Sequence, residues 1–335
     1  MRVGILGLGA IGAVHAAAWA ETEAEFVGGF DPVPENAQAI AAKYGGRAYP
    51  DIESLLEDVD IVDICTPTHL HHPQVLQAAA AGKHIVCEKP LARTLEQGRE
   101  MVAACNAAGV RLLVAHVVRF FPEYRRAKDA VDAGMIGEPA VIRLQRDVFQ
   151  PRKAAGNWFV DFGKSGGMML DLMIHDFDYA RWVAGEVKTV FAKSIGTSGM
   201  EAGVDHGLAI LTHHNGAISH IEGSWAYPPP TFRTKFEIAG SQGLIVHDSD
   251  ATAPIQVFRH QQDEDSAEVP VPASPLLESP YTAEIRAFHR AIVEDSPVPV
   301  SAADGLAALQ IALAAMESAQ TGKPVTLEPL PEVGA

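Results

Sequence analysis

The stretch VGILGLGAIG at residues 3–12 decides the fold of the N-terminal part of this chain. An apolar run ends at Leu6, and three glycines follow in the pattern Gly7-x-Gly9-x-x-Gly12. This order is typical of a β-strand, a tight turn and the start of an α-helix that together bind a dinucleotide. Gly7 would allow the turn, Gly9 would let the backbone approach a pyrophosphate, and Gly12 would let helix and strand pack closely. We predict that the N–H groups at the start of this helix face the pyrophosphate, with contacts from Gly7, Gly9, Ala10, Ile11 and Gly12.

An acidic residue, Asp31, lies 19 residues after Gly12, at the end of a second apolar run. There its carboxylate would accept hydrogen bonds from the hydroxyls of the adenine ribose. A 2′-phosphate would meet a negative charge, and the following Pro32-Val33-Pro34 offers no arginine to neutralise it. The alternative is that Asp31 only caps a turn before the proline. The charge argument favours NAD over NADP as the cofactor.

The composition describes a folded globular protein without a nucleic-acid partner. The chain has 335 residues, of which 47% are hydrophobic and 20% are charged, and its formal net charge is -16. This length predicts two domains, because a single core rarely grows beyond about 250–300 residues. The negative charge argues against nucleic acid and anionic membrane surfaces as partners, since binding to either needs a basic face.

Cysteine usage and hydropathy predict a cytoplasmic protein. Cys65, Cys87 and Cys105 lie in apolar surroundings without C-x-x-C spacing, which is typical of buried, reduced thiols. The first 20 residues resemble a signal peptide in composition, but a glycine-rich turn interrupts their apolar run. The sequence contains no stretch of about 18 uninterrupted apolar residues, so we predict no membrane span.

Strand and helix patterns alternate up to about residue 120. Such alternation predicts a parallel sheet covered on both faces by helices, with ligands bound at the carboxyl ends of the strands. Thr66-Pro67 and Glu88-Lys89-Pro90 each follow a predicted strand and would lie at that edge of the sheet. We therefore predict an α/β protein whose N-terminal Rossmann dinucleotide-binding domain covers residues 1–121.

Beyond residue 121 the pattern changes to sequential strands with hairpin turns, including a strong turn signal at Asn215-Gly216. This pattern predicts a second domain over residues 122–335, distinct from the first, with a mainly antiparallel sheet. One face of this sheet would be covered by three helices, over residues 167–184, 281–294 and 302–321. The acidic, proline-rich stretch 261–280 is predicted to be a surface loop.

The predicted helix over residues 167–184 is mostly apolar, and Asp171, His175 and Asp178 are set into it. Their i, i+4, i+7 spacing places them on one stripe of a continuous helix. Each residue alone has a structural interpretation, because a buried histidine is more often structural than catalytic, and an aspartate can orient or cap a neighbour. Three polar groups on one buried stripe, in a chain that binds a dinucleotide, favour a reactive site.

These residue types suit hydride transfer from an alcohol carbon to NAD. The hydroxyl must lose its proton, and His175 is the group that titrates near neutrality. Asp171 would hold the imidazole tautomer, and the Lys89 ammonium would hydrogen-bond the same oxygen and stabilise its developing negative charge. Lys89 could instead be an exposed loop lysine, but its place between Glu88 and Pro90 at a strand end disfavours that interpretation.

Several motifs together resemble those of the Gfo/Idh/MocA oxidoreductases, a family named for glucose–fructose oxidoreductase and inositol dehydrogenase. They span essentially the whole chain and comprise the glycine pattern with His15, Thr66-Pro67-x-x-x-His71, Gly82-Lys83-His84, Glu88-Lys89-Pro90 and Gly166-Gly167-x-x-x-Asp171-x-x-x-His175-x-x-Asp178. The resemblance implies a C-terminal α/β domain with a large open sheet, whose exposed face commonly forms dimers or tetramers. It also implies a catalytic set of Lys89, Asp171 and His175, in a pattern most like that of inositol dehydrogenases.

Further contacts are predicted around this set. The nicotinamide side of NAD would be flanked by Thr66, Pro67, His71, Glu88 and Lys89, although His71 could instead only pack at the strand edge. The resemblance implies substrate contacts at Arg119, Trp158, Asp178 and Tyr227. It also places His116 in a segment near them. Residues 149–164 would determine substrate specificity. His69, His71 and His72 have no acidic or thiol ligand beside them in the sequence. No metal site is therefore predicted.

The sequence therefore predicts an NAD-dependent dehydrogenase that oxidises a secondary hydroxyl of a cyclic polyol or sugar to a ketone. Its expected partners are a small polyol or sugar and further copies of itself, as a homodimer or homotetramer formed through the C-terminal sheet. Two alternatives stay open: an NAD-dependent glycosidase that oxidises its sugar transiently, and a cofactor-sensing regulator without turnover. The presence of Lys89, Asp171 and His175 together argues against the regulator.

Overall fold

The computed structural model describes residues 1–150, 158–159, 161–196, 205–250 and 278–330. Their contacts divide these residues into two compact units. The first unit contains residues 1–120 and 278–306, and the second contains the described residues from 121 to 250 together with 307–330. The continuous domain division between residues 121 and 122 stays a prediction.

The first unit is built on a six-stranded sheet of β1 (Arg2–Leu6), β2 (Glu25–Phe30), β3 (Arg47–Ala48), β4 (Ile61–Ile64), β5 (His84–Glu88) and β6 (Leu112–Ala115). The strand order is β3-β2-β1-β4-β5-β6, and all neighbouring strands are parallel. Strands β4 and β6 are buried along their whole length, as expected for a parallel sheet covered on both faces. The predicted parallel Rossmann sheet is confirmed.

The helices of the described residues are α1 (Ala10–Trp19), α2 (Pro34–Tyr44), α3 (Ile52–Asp58), α4 (His71–Ala80), α5 (Leu95–Ala108), α6 (Pro122–Asp132), α7 (Phe162–Ser165), α8 (Gly167–Asp171), α9 (Ile174–Ala184), α10 (Pro280–Val293) and α11 (Ala302–Thr321). Side chains cap the start of two of them: Asp51 accepts the Ser54 N–H at α3, and Thr94 accepts the Gln97 N–H at α5. Among these helices none is long and apolar enough to cross a membrane.

Helix α10 belongs to the first unit, although the sequence predicts it on the second sheet. It packs on α1, where Phe288 and Trp19 share one apolar core. The guanidinium of Arg111 also donates hydrogen bonds of 2.6 Å to the carbonyls of Ala291 and Ser296, at the end of α10 and just after it. The prediction that this helix covers the second sheet is therefore wrong. An apolar helical stripe shows that a helix must be covered, but it does not specify by which surface.

The second unit is built on a seven-stranded sheet of β7 (Pro139–Val148), β8 (Val187–Ile195), β9 (His206–His213), β10 (Ile218–Ser224), β11 (Phe232–Gly240), β12 (Leu244–Asp248) and β13 (Val325–Thr326). The order is β12-β11-β7-β10-β9-β8-β13. Neighbouring strands are antiparallel except β7 and β10, which are parallel. The mainly antiparallel sheet is confirmed. The hairpin of β9 and β10 turns at Asn215-Gly216, where the Asn215 side chain accepts the Ala217 N–H at 3.0 Å.

A buried ion pair joins helix α9 to strand β7. The Arg146 guanidinium donates two hydrogen bonds to the Asp176 carboxylate, of 2.7 Å from Nε and 3.0 Å from Nη2. The Tyr124 hydroxyl lies 3.5 Å from Nη2 of the same guanidinium. Two parallel hydrogen bonds satisfy both charges, so the pair tolerates burial only while both members are present.

Replacing one member of this pair should destabilise the second unit. Arg146→Met should lower the free energy of unfolding by about 3–5 kcal/mol, because the Asp176 carboxylate stays buried without its partner. The double substitution Arg146→Met, Asp176→Leu should recover much of that loss. Urea denaturation at pH 7 measures both changes.

The matched control is Arg143→Met on the same strand. Arg143 pairs with Glu237 at 2.8 Å, and both side chains are exposed. Exposed pairs contribute about 1 kcal/mol or less, so this variant should unfold close to the wild-type urea concentration. Similar losses for Arg143→Met and Arg146→Met would contradict the importance of the buried pair.

Candidate active site

Three glycines shape the turn from β1 into α1. Gly7 has φ +84°, and its N–H donates to the Phe30 carbonyl at 2.9 Å. A Cβ on Gly12 would collide with the Gly7 carbonyl oxygen, so a side chain there would push α1 away from the turn. At Gly9 a Cβ would meet no atom of the described residues within 4 Å, its chain neighbours and its own helix aside. The backbone at Gly9 is therefore open to close approach by a ligand.

The start of α1 favours an anion. Gly9 occupies the cap position without a side chain, Ala10 is exposed, and the first turn contains no acidic residue. The first N–H groups of a helix have no partner within the helix and form the positive end of its dipole. The diphosphate of a dinucleotide fits this end of α1 in both charge and hydrogen-bonding chemistry.

Asp31 ties the end of β2 to the glycine turn. Its Oδ2 accepts the Leu8 N–H at 2.7 Å, and its Oδ1 accepts the Val33 N–H at 2.8 Å and the Asn36 side-chain amide at 3.1 Å. Asp31 therefore does cap the turn before Pro34, as the alternative interpretation predicts. It also lies beside the glycine turn, where an acid that binds ribose is expected. These three donors are neutral and leave the negative charge of the carboxylate in place.

The carboxyl ends of β4 and β5 are joined by a buried histidine. The ring nitrogens of His71 lie 2.8 Å from the Thr66 carbonyl oxygen and 2.9 Å from the Pro90 carbonyl oxygen. Burial lowers the pKa of His71. The side chain is thus enclosed between the two loops that the sequence predicts beside the nicotinamide, and it packs at the strand edge. The loop after β4 is held further by a 2.5 Å hydrogen bond from Thr66 Oγ1 to Gln74.

Lys89 follows β5 and is half-buried. Its N–H donates to Oε2 of the buried Glu88 at 3.0 Å. The other carboxylate oxygen of Glu88 lies 3.1 Å from His15 Nε2, and His15 Nδ1 lies 2.8 Å from Asp63 Oδ2. The loop that carries Lys89 is therefore connected to a buried polar network beneath the sheet edge, which the sequence does not reveal.

The surroundings of His15 favour its protonated form. Burial alone would lower the pKa of His15, but Asp63, with help from Cys65, raises it well above its usual value. Both ring nitrogens lie within hydrogen-bond distance of an acidic side chain, Nδ1 of Asp63 and Nε2 of Glu88. Trp19 Nε1 also donates to Asp63 Oδ2, at 2.7 Å. Metal-binding residue types do meet here in His15, Asp63 and Cys65, but hydrogen bonds between protein groups already engage the imidazole and the carboxylate.

The residues expected near the substrate in the first unit are buried. His116 is fully buried, and Arg119 forms an ion pair with Asp304 at 3.2 Å with nearly all of its surface covered. This pair gives Arg119 a structural interaction of its own. Its predicted contact with substrate stays a prediction.

The second cluster lies in the second unit, where the continuous helix predicted over residues 167–184 is wrong. Helix α8 ends at Asp171 and α9 begins at Ile174. The Met168 carbonyl accepts both the Leu172 N–H at 2.8 Å and the Met173 N–H at 3.1 Å, so an extra residue is inserted into the turn. Such irregular turns occur often at functional sites. The i, i+4 geometry of an unbroken helix therefore does not apply between Asp171 and His175.

Two glycines seat the broken helix on the sheet. Gly207 of β9 and Gly223 of β10 are paired neighbours in the sheet. A Cβ on Gly207 would come within 3.0 Å of the side chains of Met168, Met169 and Met173, and a Cβ on Gly223 would collide with Met173. Because glycine has no side chain, these two strand positions leave room for the methionines of α8 and of the helix break. A single glycine in each of two predicted strands does not indicate a contact with these methionines.

The three polar residues of the predicted stripe differ in exposure. Asp171 and Asp178 are buried, whereas His175 is half-buried. Asp176, which the sequence interpretation passed over, anchors this turn of α9 through Arg146. Lys89 belongs to the first unit and the Asp171–His175 cluster to the second, so each is described within its own unit.

A further buried acid, Asp205, lies at the start of β9. Burial raises the pKa of Asp205 to about 6, opposed by a hydrogen bond from the Met168 backbone. The carboxyl group therefore lies at the start of α8, the helix that carries Asp171. A single aspartate before a strand carries no sequence signal for such a contact.

Two predicted substrate contacts have neighbours of their own. Tyr227 hydrogen-bonds the buried Asp147, and burial together with Asp147 raises the pKa of Tyr227. The Trp158 ring stacks on Phe159 at 4.0 Å between centroids. The predicted specificity segment 149–164 lies partly outside the described residues, and the predicted surface loop 261–280 lies almost wholly outside them.

The parallel sheet, the glycine turn, the uncapped helix start and Asp31 define the first unit as a dinucleotide-binding Rossmann domain. Family models agree: residues 1–116 match an oxidoreductase family, NAD-binding Rossmann fold, and residues 128–327 match the C-terminal alpha/beta domain of the same family. The chain belongs to the Gfo/Idh/MocA family of oxidoreductases. The resemblance, the enzyme class and NAD as the cofactor are thereby confirmed.

Similar proteins match this chain along nearly its whole length. The myo-inositol 2-dehydrogenase of Thermotoga maritima is 32% identical over 98% of this chain and 99% of that protein. The 1,5-anhydro-D-fructose reductase of Ensifer adhaerens is 32% identical over 95% of this chain and 94% of that protein. A solved structure of scyllo-inositol dehydrogenase from Lactobacillus casei, with bound NAD(H) and scyllo-inositol, has a TM-score of 0.80 at 25% identity and covers 97% of this chain and 98% of that one.

Two glycine substitutions should separate folding from cofactor binding. Gly12→Ala should lower the melting temperature of the protein without NAD, because its Cβ collides with a backbone carbonyl. Gly9→Ala should leave that temperature nearly unchanged but remove most of the increase that NAD produces, because its methyl group occupies the open backbone. Thermal unfolding with and without NAD measures both effects. A full NAD-induced shift in Gly9→Ala would place the cofactor elsewhere.

Proposed function

We propose that this chain is an NAD-dependent dehydrogenase that oxidises a secondary hydroxyl of a cyclic polyol or sugar to a ketone. The family sets the reaction type. The substrate class is carried by the full-length similarity to a myo-inositol 2-dehydrogenase and a 1,5-anhydro-D-fructose reductase, whose names specify a cyclic polyol and a sugar derivative. The scyllo-inositol bound in the solved relative belongs to the same class.

His175 is the proposed general base. NAD, when bound to the first unit, supplies the hydride acceptor, and the chain must handle the hydroxyl proton. The half-buried imidazole of His175 would accept that proton. Asp171, the last residue of α8, would orient the ring and stabilise its protonated form. The irregular turn at Leu172 and Met173 supports this assignment, because it places a backbone distortion directly between the two side chains.

Lys89 is the proposed electrostatic partner of the substrate oxygen. Its ammonium would donate a hydrogen bond to the oxygen as negative charge develops there. The fixed loop between Glu88 and Pro90 supports this role, because a preorganised donor is more effective than a mobile one. Thr66, Pro67, His71 and Glu88 would line the cofactor beside it. Substrate contacts from Arg119, Trp158, Asp178 and Tyr227 stay predictions.

The first test is NADH formation by the purified protein with inositol isomers, common aldoses and simple glycosides. Robust NADH formation with one polyol or sugar would support the proposal and define the substrate class. Release of an aglycone without net NADH would instead indicate the glycosidase. Binding of NAD with no turnover across the whole panel would indicate the regulator. Neither of these alternatives is favoured by the relatives named above.

On the true substrate, His175→Ala should lower kcat by about 10²–10⁴-fold, the usual contribution of general acid–base catalysis. The dissociation constant of NAD should change little, because His175 is not among the predicted cofactor contacts. Steady-state kinetics and NAD titration measure the two effects. His214→Ala is the control, because His214 is exposed beside the β9–β10 turn. A His175→Ala enzyme with wild-type kcat would show that the base is another residue.

We also propose a homodimer or homotetramer formed through the open face of the seven-stranded sheet. Leu208 and Ile210 of β9, Ile218 of β10 and Ile195 of β8 are exposed on that face. On this patch Leu208 is paired with Lys193 on one side and with Glu222 on the other. Exposed apolar side chains on one sheet face are typical of a protein–protein interface. The patch is self-complementary in chemistry, as a symmetric contact between two copies requires.

A charge placed in this patch should weaken the assembly. Leu208→Lys, Ile210→Lys should lower the mass measured by sedimentation equilibrium toward that of the monomer. Val293→Lys is the control, since Val293 is similarly exposed but lies on α10 of the other unit. A wild-type protein that sediments as a monomer at micromolar concentration would refute the proposed interface.

A cytoplasmic location is the remaining part of the proposal. Cys65, Cys87 and Cys105 are all buried and unpaired with one another. Burial raises the pKa of Cys105 to about 12 and raises that of Cys65 as well. Thiols that stay reduced and inert are typical of proteins in a reducing compartment.

A further inference from the structure

A chain of buried hydrogen bonds runs from the middle of α1 to the backbone of Lys89. Asp63 of β4 accepts from Trp19 and His15, and Glu88 of β5 accepts from His15 and from the Lys89 N–H. The side chains of His15 and Asp63 are fully buried, and that of Glu88 is nearly so. The network therefore links the helix that starts at the nucleotide site to the loop that follows β5.

We infer that His15 is a positioning residue for Lys89, acting through the Glu88 carboxylate. The inference rests on the proposed role of Lys89 in turnover. Each oxygen of Glu88 has its own partner, Oε1 facing His15 Nε2 and Oε2 accepting the Lys89 N–H. With both oxygens engaged, the carboxylate cannot turn without breaking a bond, so the backbone at Lys89 is held in one place.

The position of His15 explains why a histidine suits this network. Asp63 and Glu88 are two buried acidic side chains, and the His15 ring lies between them with one nitrogen facing each. Without the ring, the two acidic groups would lose their shared partner in an interior from which water is excluded. The Glu88 side chain would then lose the contact that holds Oε1 and would be free to turn. That rotation weakens or removes the acceptor of the Lys89 N–H.

Trp19 provides a matched control for a purely structural role. It lies one turn further along the same helix, it is as deeply buried, and its Nε1 donates to the same Asp63 oxygen at 2.7 Å. Among the hydrogen bonds of the described residues, Trp19 Nε1 donates to Asp63, whereas Glu88 contacts only His15 and the Lys89 N–H in this network. Trp19→Phe should therefore destabilise the fold without releasing Lys89.

The first experiment needs no substrate and uses the full-length protein without cofactor. Residue-resolved hydrogen exchange should show the Lys89 amide exchanging about tenfold faster or more in His15→Ala, which corresponds to the loss of roughly one hydrogen bond. Trp19→Phe should leave the exchange rate of the Lys89 amide unchanged, even if it lowers the melting temperature as much as His15→Ala does. Unchanged exchange in His15→Ala, or equally accelerated exchange in Trp19→Phe, would overturn the inference.

The second experiment is a double-mutant cycle in kcat. His15→Ala alone should lower kcat by about 10–100-fold, because a small displacement of a catalytic group has an effect of that size. In a Lys89→Ala background the same substitution should lower kcat by less than about threefold further, since a positioning residue acts through the group it positions. Fully additive losses would overturn the inference.

One outcome distinguishes this inference from the proposed function. If Lys89→Ala keeps wild-type kcat while His15→Ala accelerates exchange at Lys89, the positioning stands and the proposed role of Lys89 fails. If His15→Ala does not fold, Glu88→Gln keeps the shape of the side chain and removes the charge that His15 attracts. Exchange of the Lys89 amide should then rise in Glu88→Gln, and an unchanged rate would overturn the inference.

Discussion

The close approach of α1 to the turn after β1 is the constraint on which the first unit depends. It is possible because Gly12 has no side chain to meet the Gly7 carbonyl. This contact sets the direction of the first N–H groups of α1 and brings His15 against Asp63, deep in the sheet. The same turn presents the Leu8 N–H to Asp31. One steric condition thus sets the predicted phosphate site, the position of Asp31 and the buried support of the neighbouring strands.

The second unit uses the same physical device for another purpose. Gly207 and Gly223 leave a flat area on the sheet, and the methionines of α8 and of the break fill it. Methionine suits such a place, because its flexible thioether adapts to an irregular surface. The Arg146–Asp176 pair then fixes the start of α9. The distorted turn between the two helices is thereby held from both sides, and its geometry does not rest on helix propensity alone.

The sequence predicted those parts of the molecule that local chemistry determines. A glycine without room for a side chain, an acid at a strand end and an Asn-Gly turn each act through their immediate neighbours, so their roles are readable in order along the chain. The helix break at Leu172 and Met173 was not readable, because it depends on glycines in two distant strands. The partner of α10 and the His15 network were missed for the same reason: each joins segments far apart in sequence, and a single sequence carries no record of such pairing.

The return of α10 to the first unit bears on how this protein could be recombined with its relatives. A segment exchanged as residues 1–120 alone would leave behind the helix that covers Trp19, together with the carbonyls that bind Arg111. The transplanted half would then expose an apolar face and the Arg111 guanidinium, because the α10 that covers them in this chain would be missing. Cofactor preference and substrate preference can therefore be exchanged as modules only when residues 278–306 travel with the nucleotide-binding half.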